Sequence, residues 1–329
     1  MKRQANAVTD AEHTGFQSIN KGYDALFKPG QLSIGLVAPL AAYHYHAVPD
    51  LFRHMERIQL AEELGFSAVW LRDVPFNVPA FGDAGQQFDP FVYLGTLAAK
   101  TEHIALGVAS IILPLRHPAH VAKASASVEV LSQGRLVLGV ASGDRPEEYP
   151  ALNIPFAERG VRFRESFEYI RNMHASIPMV ENKLGVPQSD MEVLPKLARG
   201  KLPMLITGGS QQGSQWLAQR GDGWMIYPRN PKLQAAMIQS WRENLEALSR
   251  TPQPVMQPVY IDLVEDDNAS PQPIHLGFRS GLKYLIEYLT TIQDIGVNHV
   301  ALNLRFNHGD IETTMQRLSK EVLPRFKSI

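Results

Sequence analysis

From about residue 31 the chain alternates short apolar runs with amphipathic stretches of helical period. The first run is Leu32 to Ala38, stopped by Pro39. A helical stripe follows over Leu51, Met55, Ile58, Ala61 and Leu64, closed by Gly65, where a helix end favours a left-handed residue. Further runs at Ser67 to Leu71, Ile104 to Ala109, Arg135 to Val140, Met204 to Thr207 and Gly223 to Tyr227 read as strands. So do a run within Val255 to Val264 and the run His299 to Leu304. Between them the period predicts helices from about Asp89 to Thr101, from His117-Pro118 through Leu131, from about Arg159 to His174, and from Ser210 to Arg220. Three more run over Met237 to Leu248, over Leu282 to Ile292 with a stop at Gly296, and over Ile311 to Val322. Residues 176–202, with three prolines and two glycines, read as an insertion, and Glu265 to Gly277 as a proline-rich connection.

Eight strand–helix units in strict alternation predict parallel strands joined by crossover helices and closed into a (β/α)₈ TIM barrel with insertions. An open doubly wound sheet would want a glycine-rich turn after its first strand, and Val37-Ala38-Pro39-Leu40 offers none. The 329 residues fit one large α/β domain, residues 31–329, behind a polar N-terminal arm of residues 1–30, loose apart from packing at Phe16 and Tyr23.

Composition removes several function classes. The net charge of -1 gives no basic excess for a nucleic acid or an anionic membrane surface. With 0 cysteines there are no disulfides, thiolate nucleophiles or cysteine metal sites. No apolar stretch follows Lys2 and Arg3, and no run reaches about 18 apolar residues. Neither a signal peptide nor a membrane span is therefore expected, and the expected location is cytoplasmic.

A barrel builds its site from loops at the C-terminal ends of its strands. The sharpest feature there is Ile206-Thr207-Gly208-Gly209-Ser210 between a strand and a helix. Free N–H groups, the positive end of a helix dipole and two residues without side chains suit a phosphate, with Ser210 as cap or ligand. The same residues also describe a plain glycine-rich turn with a serine cap. Gly139-Val140-Ala141-Ser142-Gly143-Asp144-Arg145-Pro146 leaves room for a planar ligand, or is an ordinary turn with a surface ion pair. His44 and His46 invite a metal reading, but the fifth and sixth strand ends, Thr207-Gly208 and Tyr227-Pro228-Arg229, supply no histidine and the eighth offers Asn303 in place of an aspartate, so no metal is expected. Glu147-Glu148 resembles a carboxylate pair, yet adjacent loop glutamates point apart and are read as solvated. No nucleophile elbow, Walker loop or zinc-protease helix motif is present.

Three phrases in order carry a family resemblance. They are Leu97-Ala98-Ala99-Lys100-Thr101-Glu102-His103-Ile104-Ala105-Leu106-Gly107, Leu113-Pro114-Leu115-Arg116-His117-Pro118, and Leu131-Ser132-Gln133-Gly134-Arg135-Leu136-Val137-Leu138-Gly139-Val140. With Ala68-Val69-Trp70-Leu71-Arg72-Asp73 and the stretch from Gly209-Ser210 through Trp216 to Gly221-Asp222-Gly223-Trp224, the chain resembles the bacterial luciferase-like flavin oxidoreductases along nearly the whole barrel. The resemblance implies FMN, or its relative 8-hydroxy-5-deazaflavin, across the barrel mouth. It places Ala109-Ser110 at a bulge that often holds a non-proline cis peptide beside the flavin ring. Ser142, Gly143 and Asp144 match a loop near the ribityl chain and phosphate. Gly208 belongs to the same turn as Gly209, Ser210 and Gly213, which match phosphate-contacting positions.

One departure matters. The catalytic histidine that bacterial luciferase carries after its second strand falls here at Val74, followed by Pro75. Arg72 and Asp73 are then the nearest polar candidates for catalysis, or else a buried strand-end ion pair orienting the loop. His117 is read as capping its helix. Arg229, Arg279 and Arg305 could hold an anionic substrate group, or be surface or salt-bridged arginines. The function expected is an FMN-dependent monooxygenase acting with dioxygen on a small organic substrate, its reduced flavin supplied by a separate flavin reductase. The alternatives are deazaflavin-dependent hydride transfer and a non-catalytic flavin binder. A homodimer or other homo-oligomer is expected.

Overall fold

The computed structural model describes residues 15–43, 48–78, 88–175, 177–188 and 191–326. Strands β1 (Ser33–Val37), β2 (Ala68–Leu71), β3 (Ala105–Ile112), β4 (Leu136–Ala141), β5 (Met204–Thr207), β6 (Trp224–Met225) and β7 (Val255–Leu263) pair in parallel, each with the next. The eighth barrel strand, β10 (His299–Asn303), closes the ring with four residue pairs to β1 and five to β7. Two short strands lie between. β9 (Gly277–Ser280) runs parallel to β7, and β8 (Gln272–Ile274) pairs antiparallel with β9. The proline-rich connection is thus a hairpin that widens the sheet outside the barrel.

Helices α2 (His54–Glu63), α3 (Pro90–Lys100), α4 (Pro118–Leu131), α6 (Arg159–Met173), α7 (Ser214–Arg220), α8 (Pro231–Ala247), α9 (Leu282–Asp294) and α10 (Ile311–Glu321) follow successive barrel strands. Strand alternation sorts the core. Leu36, Val69, Leu106, Leu138 and Val300 pack outward with the helices, while Ala68, Trp70, Ala105, Val137 and Ala301 form an inner cluster. Trp70 fills that interior, fully buried, and small residues make its room. A Cβ on Gly107 would stand 2.2 Å from the indole. The indole N–H donates to His299 Nε2 at 2.8 Å, so the proton of His299 is on Nδ1, which donates to Ser33 Oγ at 2.6 Å. Full burial pushes the His299 pKa down to about 3, which keeps the ring neutral.

The N-terminal segment packs at Phe16 and Tyr23, as expected, and at further residues besides. Residues 1–14 lie outside the described residues, but α1 (Lys21–Leu26) packs Ile19, Tyr23, Leu26 and Phe27 into the inner cluster. Tyr23 Oη donates to Asp222 O at 2.6 Å, Asn20 Nδ2 to Leu136 O at 2.7 Å, and Gly22 N–H to Gly134 O at 2.8 Å. These partners sit at the N-terminal ends of β4 and β6, so the segment stoppers the barrel floor and leaves the opposite face as the mouth. Among the described residues no helix is long and apolar enough to cross a membrane.

Candidate functional site

Five consecutive strand ends, β2 to β6, surround an open pocket of about 240 Å³ at the mouth. Its walls combine Arg72, Asp73 and Val74 after β2, Ala109, Ser110 and Ile112 of β3, and Ala141 to Arg145 after β4. Glu148, Thr207, Gly208, Ser210, Gln211 and Tyr227 complete it.

The β3 wall is irregular. The register with β4 shifts between Val108 and Ile111, and the Ala109–Ser110 peptide is cis, as the resemblance implied. The Ser110 hydroxyl contacts that of Thr207 and approaches Met225 Sδ at 3.7 Å. Beyond β4, Gly143 takes φ +75°, a conformation that suits glycine. A Cβ there would stand 2.7 Å from Ile112 Cγ2 and 2.8 Å from Tyr149 Oη. Tyr149 is fully buried and donates to Ser142 O, and burial pushes its phenol up to about 12.

Charge in the pocket is paired. Asp73 accepts from Arg116 at 2.9 and 2.6 Å and from the Ile112 N–H at 3.1 Å. Burial opposes the Arg116 charge, but the carboxylates of Asp73 and Asp89 overcome it and hold the guanidinium pKa above its usual value. Of the two readings offered for Asp73, this is the structural one, with Arg116 as the partner. Arg145 Nη1 lies 3.4 Å from Glu148 Oε1, both side chains buried. Burial raises the Glu148 pKa, Arg145 opposes the rise, and Asp73 and Asp144 add to it. The sequence predicts Glu148 to be solvated alongside Glu147, but the structure buries it. Its three-residue spacing from Arg145 on a short turn, α5 (Glu148–Ala151), is the signal that separates the two.

The turn after β5 corrects a second expectation. Helix α7 starts at Ser214, not Ser210, because Ser210 (φ +42°) and Gln211 (φ +60°) are left-handed and cannot enter a right-handed helix. Ser210 Oγ donates to Thr207 O at 2.7 Å and caps nothing. The Gly208 N–H donates to Met225 O at 2.8 Å and is not available to an anion. Trp224 Nε1 holds Gly208 O at 2.9 Å, and Gln212 Nε2 holds Gly160 O at 2.7 Å, which fixes the turn from both sides. Two strained residues at a pocket edge are the kind of feature that clusters at functional sites.

Of the residues singled out in the sequence, Arg72, Asp73, Ala109, Ser110, Ser142, Gly143, Asp144, Gly208 and Ser210 meet in this pocket. Gly209 and Gly213 belong to the same turn but are exposed and do not line it. Arg229 is exposed outside it, its backbone N–H bonded to Gln234 Oε1 at 3.2 Å, so the geometry gives its catalytic assignment no support. Arg279 pairs with Asp262 at 3.6 Å, and Arg305 lies buried over the Tyr43 ring at 4.6 Å. His117 accepts the Ala119 N–H and caps α4, as expected. His44 and His46 lie outside the described residues, and among the described residues no group of three or more His, Asp or Glu could hold a metal.

Comparison with known proteins gives a consistent result. The family model described as luciferase-like monooxygenase matches residues 32–271. An uncharacterised protein of Mycobacterium tuberculosis is 29% identical over 195 residues, 54% of this chain and 66% of that protein, so the chain spans just under two thirds of that relative. The oxygenase component of a flavin-dependent trigonelline monooxygenase from Acinetobacter baylyi is 29% identical over 147 residues, 38% of each chain. An F420-dependent glucose-6-phosphate dehydrogenase from Kineococcus radiotolerans is 25% identical over 240 residues, 71% of this chain and 70% of that one. Among solved structures, a monooxygenase from Streptomyces bottropensis superposes with TM-score 0.73 at 19% identity, covering 90% of this chain and all (100%) of that one. An F420-dependent secondary alcohol dehydrogenase gives 0.75 at 15%, covering 91% and 100%. At these identities the structures establish the shared fold alone.

Proposed function

The chain belongs to the luciferase-like monooxygenase family, whose members are flavin- or deazaflavin-dependent oxidoreductases, and from that premise we propose that it is an FMN-dependent monooxygenase. The observation that carries this reading is the convergence of five strand ends on one pocket lined by small, hydroxyl-bearing and cationic side chains. Ala109, Ala141 and Gly143 present little side chain, which leaves space for a planar ring beside the Ser110 and Thr207 hydroxyls. Arg72 and Arg145 supply cations, and Ser142 a hydroxyl, for a phosphate on the same pocket. The anion site is then made by side chains and a strained turn rather than by a helix end.

When bound, the flavin supplies the redox chemistry, with dioxygen as oxidant. The chain's own residues orient and desolvate. Asp73, held by Arg116, fixes the loop that carries Arg72 and Val74 at the rim. Ser110 and Thr207 place hydroxyls at the ring position. Val74, standing where luciferase has histidine, supplies no acid or base, so light emission is not part of the proposal. The trigonelline relative's designation as an oxygenase component supports a separate source of reduced flavin. The F420-dependent relative supports a second reading, hydride transfer with deazaflavin, because Arg72 and Arg145 suit its anionic tail equally.

Titration of the purified protein with oxidised FMN, reduced FMN and deazaflavin, followed by oxygen uptake with reduced FMN, separates the two. Tight binding of reduced FMN with oxygen consumption supports the monooxygenase. Preference for deazaflavin without oxygen uptake supports the second reading, and binding of neither defeats both.

A further inference from the structure

Among the described residues, five acidic or basic side chains line the pocket, Arg72, Asp73, Asp144, Arg145 and Glu148, together with the phenol of Tyr227, and Arg116 lies directly behind Asp73. Asp73 is committed to Arg116 through two hydrogen bonds and takes a third from Ile112. Glu148 is held differently. Its side chain is 2% exposed, and its Oε1 meets Arg145 Nη1 at 3.4 Å, longer than a well-formed charge-assisted hydrogen bond. The turn that carries both is stiff. Glu148 N–H donates to Arg145 O at 3.3 Å, and the neighbouring Tyr149 is tied to Ser142 O.

Three influences act on the Glu148 carboxyl. Burial favours its neutral form, the negative charges of Asp73 and Asp144 favour it further, and Arg145 favours the carboxylate. An anion that enters the pocket competes for Arg145 and adds another negative charge near the carboxyl. Binding a proton from solvent then costs less than keeping a buried carboxylate without its counter-charge.

We infer that Glu148 is a positioning residue for Arg145, and that the anionic tail of the cofactor takes over Arg145 while Glu148 takes up a proton. This rests on the reading that the pocket holds a phosphorylated flavin. Arg145 is then kept in place and neutralised while the pocket is free, and its charge becomes available only to a ligand with an anion of its own. Neutral molecules gain nothing from the exchange. The site thereby discriminates FMN from riboflavin by charge.

The test is calorimetric titration of FMN and riboflavin at pH 7.5 in two buffers of different ionisation enthalpy. The difference between buffers reports protons taken up per ligand bound. At this pH the FMN phosphate is already a dianion, since such a group has its second pKa at about 6. The wild-type protein should take up a fraction of a proton with FMN and none with riboflavin. Its FMN affinity should fall as pH rises above 7.5, by at most about tenfold per pH unit for a single linked proton. Glu148→Gln, which cannot ionise, should bind FMN with no proton uptake and a flat profile. Equal uptake with FMN and riboflavin, no uptake with FMN, or unchanged uptake in Glu148→Gln overturns the inference while leaving the flavin site standing. If the wild-type protein binds neither ligand, the premise fails and the inference fails with it. If Glu148→Gln does not fold, Glu148→Asp, whose shorter side chain still ionises, should shift the pH at which FMN affinity falls, and an unshifted profile overturns the inference.

Discussion

Asp73 and Arg116 face each other through two parallel hydrogen bonds, Nε to Oδ2 at 2.9 Å and Nη2 to Oδ1 at 2.6 Å. The same Nη2 reaches Asp89 Oδ2 at 2.8 Å, and Asp89 Oδ1 caps α3 through the Phe91 and Val92 N–H groups. With the Ile112 N–H on Asp73 as well, one guanidinium ties together the loop after β2, the end of β3 and the start of α3. The rim residues Arg72, Val74 and Ile112 are therefore set as one unit, and Asp73 has little acceptor capacity left for substrate chemistry.

Replacing Arg116 by alanine should cost about 2–3 kcal/mol of stability, somewhat below the range for removing one partner of a fully buried pair, because the arginine side is partly exposed. Flavin affinity should fall with it. Arg116→Lys keeps the charge without the fork and should recover stability only in part. Denaturant melts and flavin titrations of the two variants check this. Unchanged melts and affinities in Arg116→Ala would show that the loops are held by something else.

Gly143, which lines the pocket, and Gly209, exposed on the turn beside it, should respond differently. Gly143→Ala meets a positive φ and two atoms closer than 3 Å, so it should lose about 1–2 kcal/mol and weaken flavin of any kind. Gly209→Val has its nearest neighbour at 3.9 Å, Gln212 O, and should keep its stability within about 0.5 kcal/mol. A loss of FMN affinity in Gly209→Val with riboflavin unaffected would put the phosphate at this turn. Equal FMN affinity in wild type and Gly209→Val would move it toward Ser142 and Arg145.

Acid should weaken the fold through His299. Its pKa is about 3 in the barrel interior and about 6.5 in an unfolded chain, so between these values the unfolded state holds more protons. Stability then falls as pH drops below about 6.5, by up to about 1.4 kcal/mol per unit for this one ring. Above about 6.5 the ring is neutral in both states and contributes no slope. Chemical denaturation at pH 7.5 and 5.5 should show a smaller pH-dependent loss in His299→Gln than in wild type. An identical loss in both would assign the acid sensitivity to other groups.

The eight barrel strands were legible because each is a buried apolar run bounded by polar or glycine residues, and the order of phrases around β3 and β4 marked the family. The pocket residues after β2, β3 and β4 followed from strand ends together with the family resemblance. The turn after β5 did not. Gly208-Gly209-Ser210 reads like a helix cap, but Ser210 and Gln211 are left-handed, in a turn held by Trp224 and, through Gln212, by Gly160, contacts that local sequence does not reveal. Helix α1 has 6 residues, too few to show a period, so its role under the barrel emerges only from the residues it touches. The β8–β9 hairpin hid in a polar, proline-containing stretch because its outer strand is exposed and carries no apolar alternation. Glu148 was concealed by Glu147, since sequence gives no direction to adjacent side chains on a turn. The choice of FMN or deazaflavin is not written in the pocket residues, because a tricyclic ring and an anionic tail ask the same of them.

The most direct measurement is a crystal structure of the protein with FMN bound. The account predicts the ring against Ala109-Ser110 and Ala141, with the phosphate inside the pocket within hydrogen-bonding reach of Ser142, Ser210 or Gln211 and close to Arg72 or Arg145. Flavin seated away from the ends of β2 to β6, or a phosphate directed out to solvent with these side chains unengaged, would contradict it.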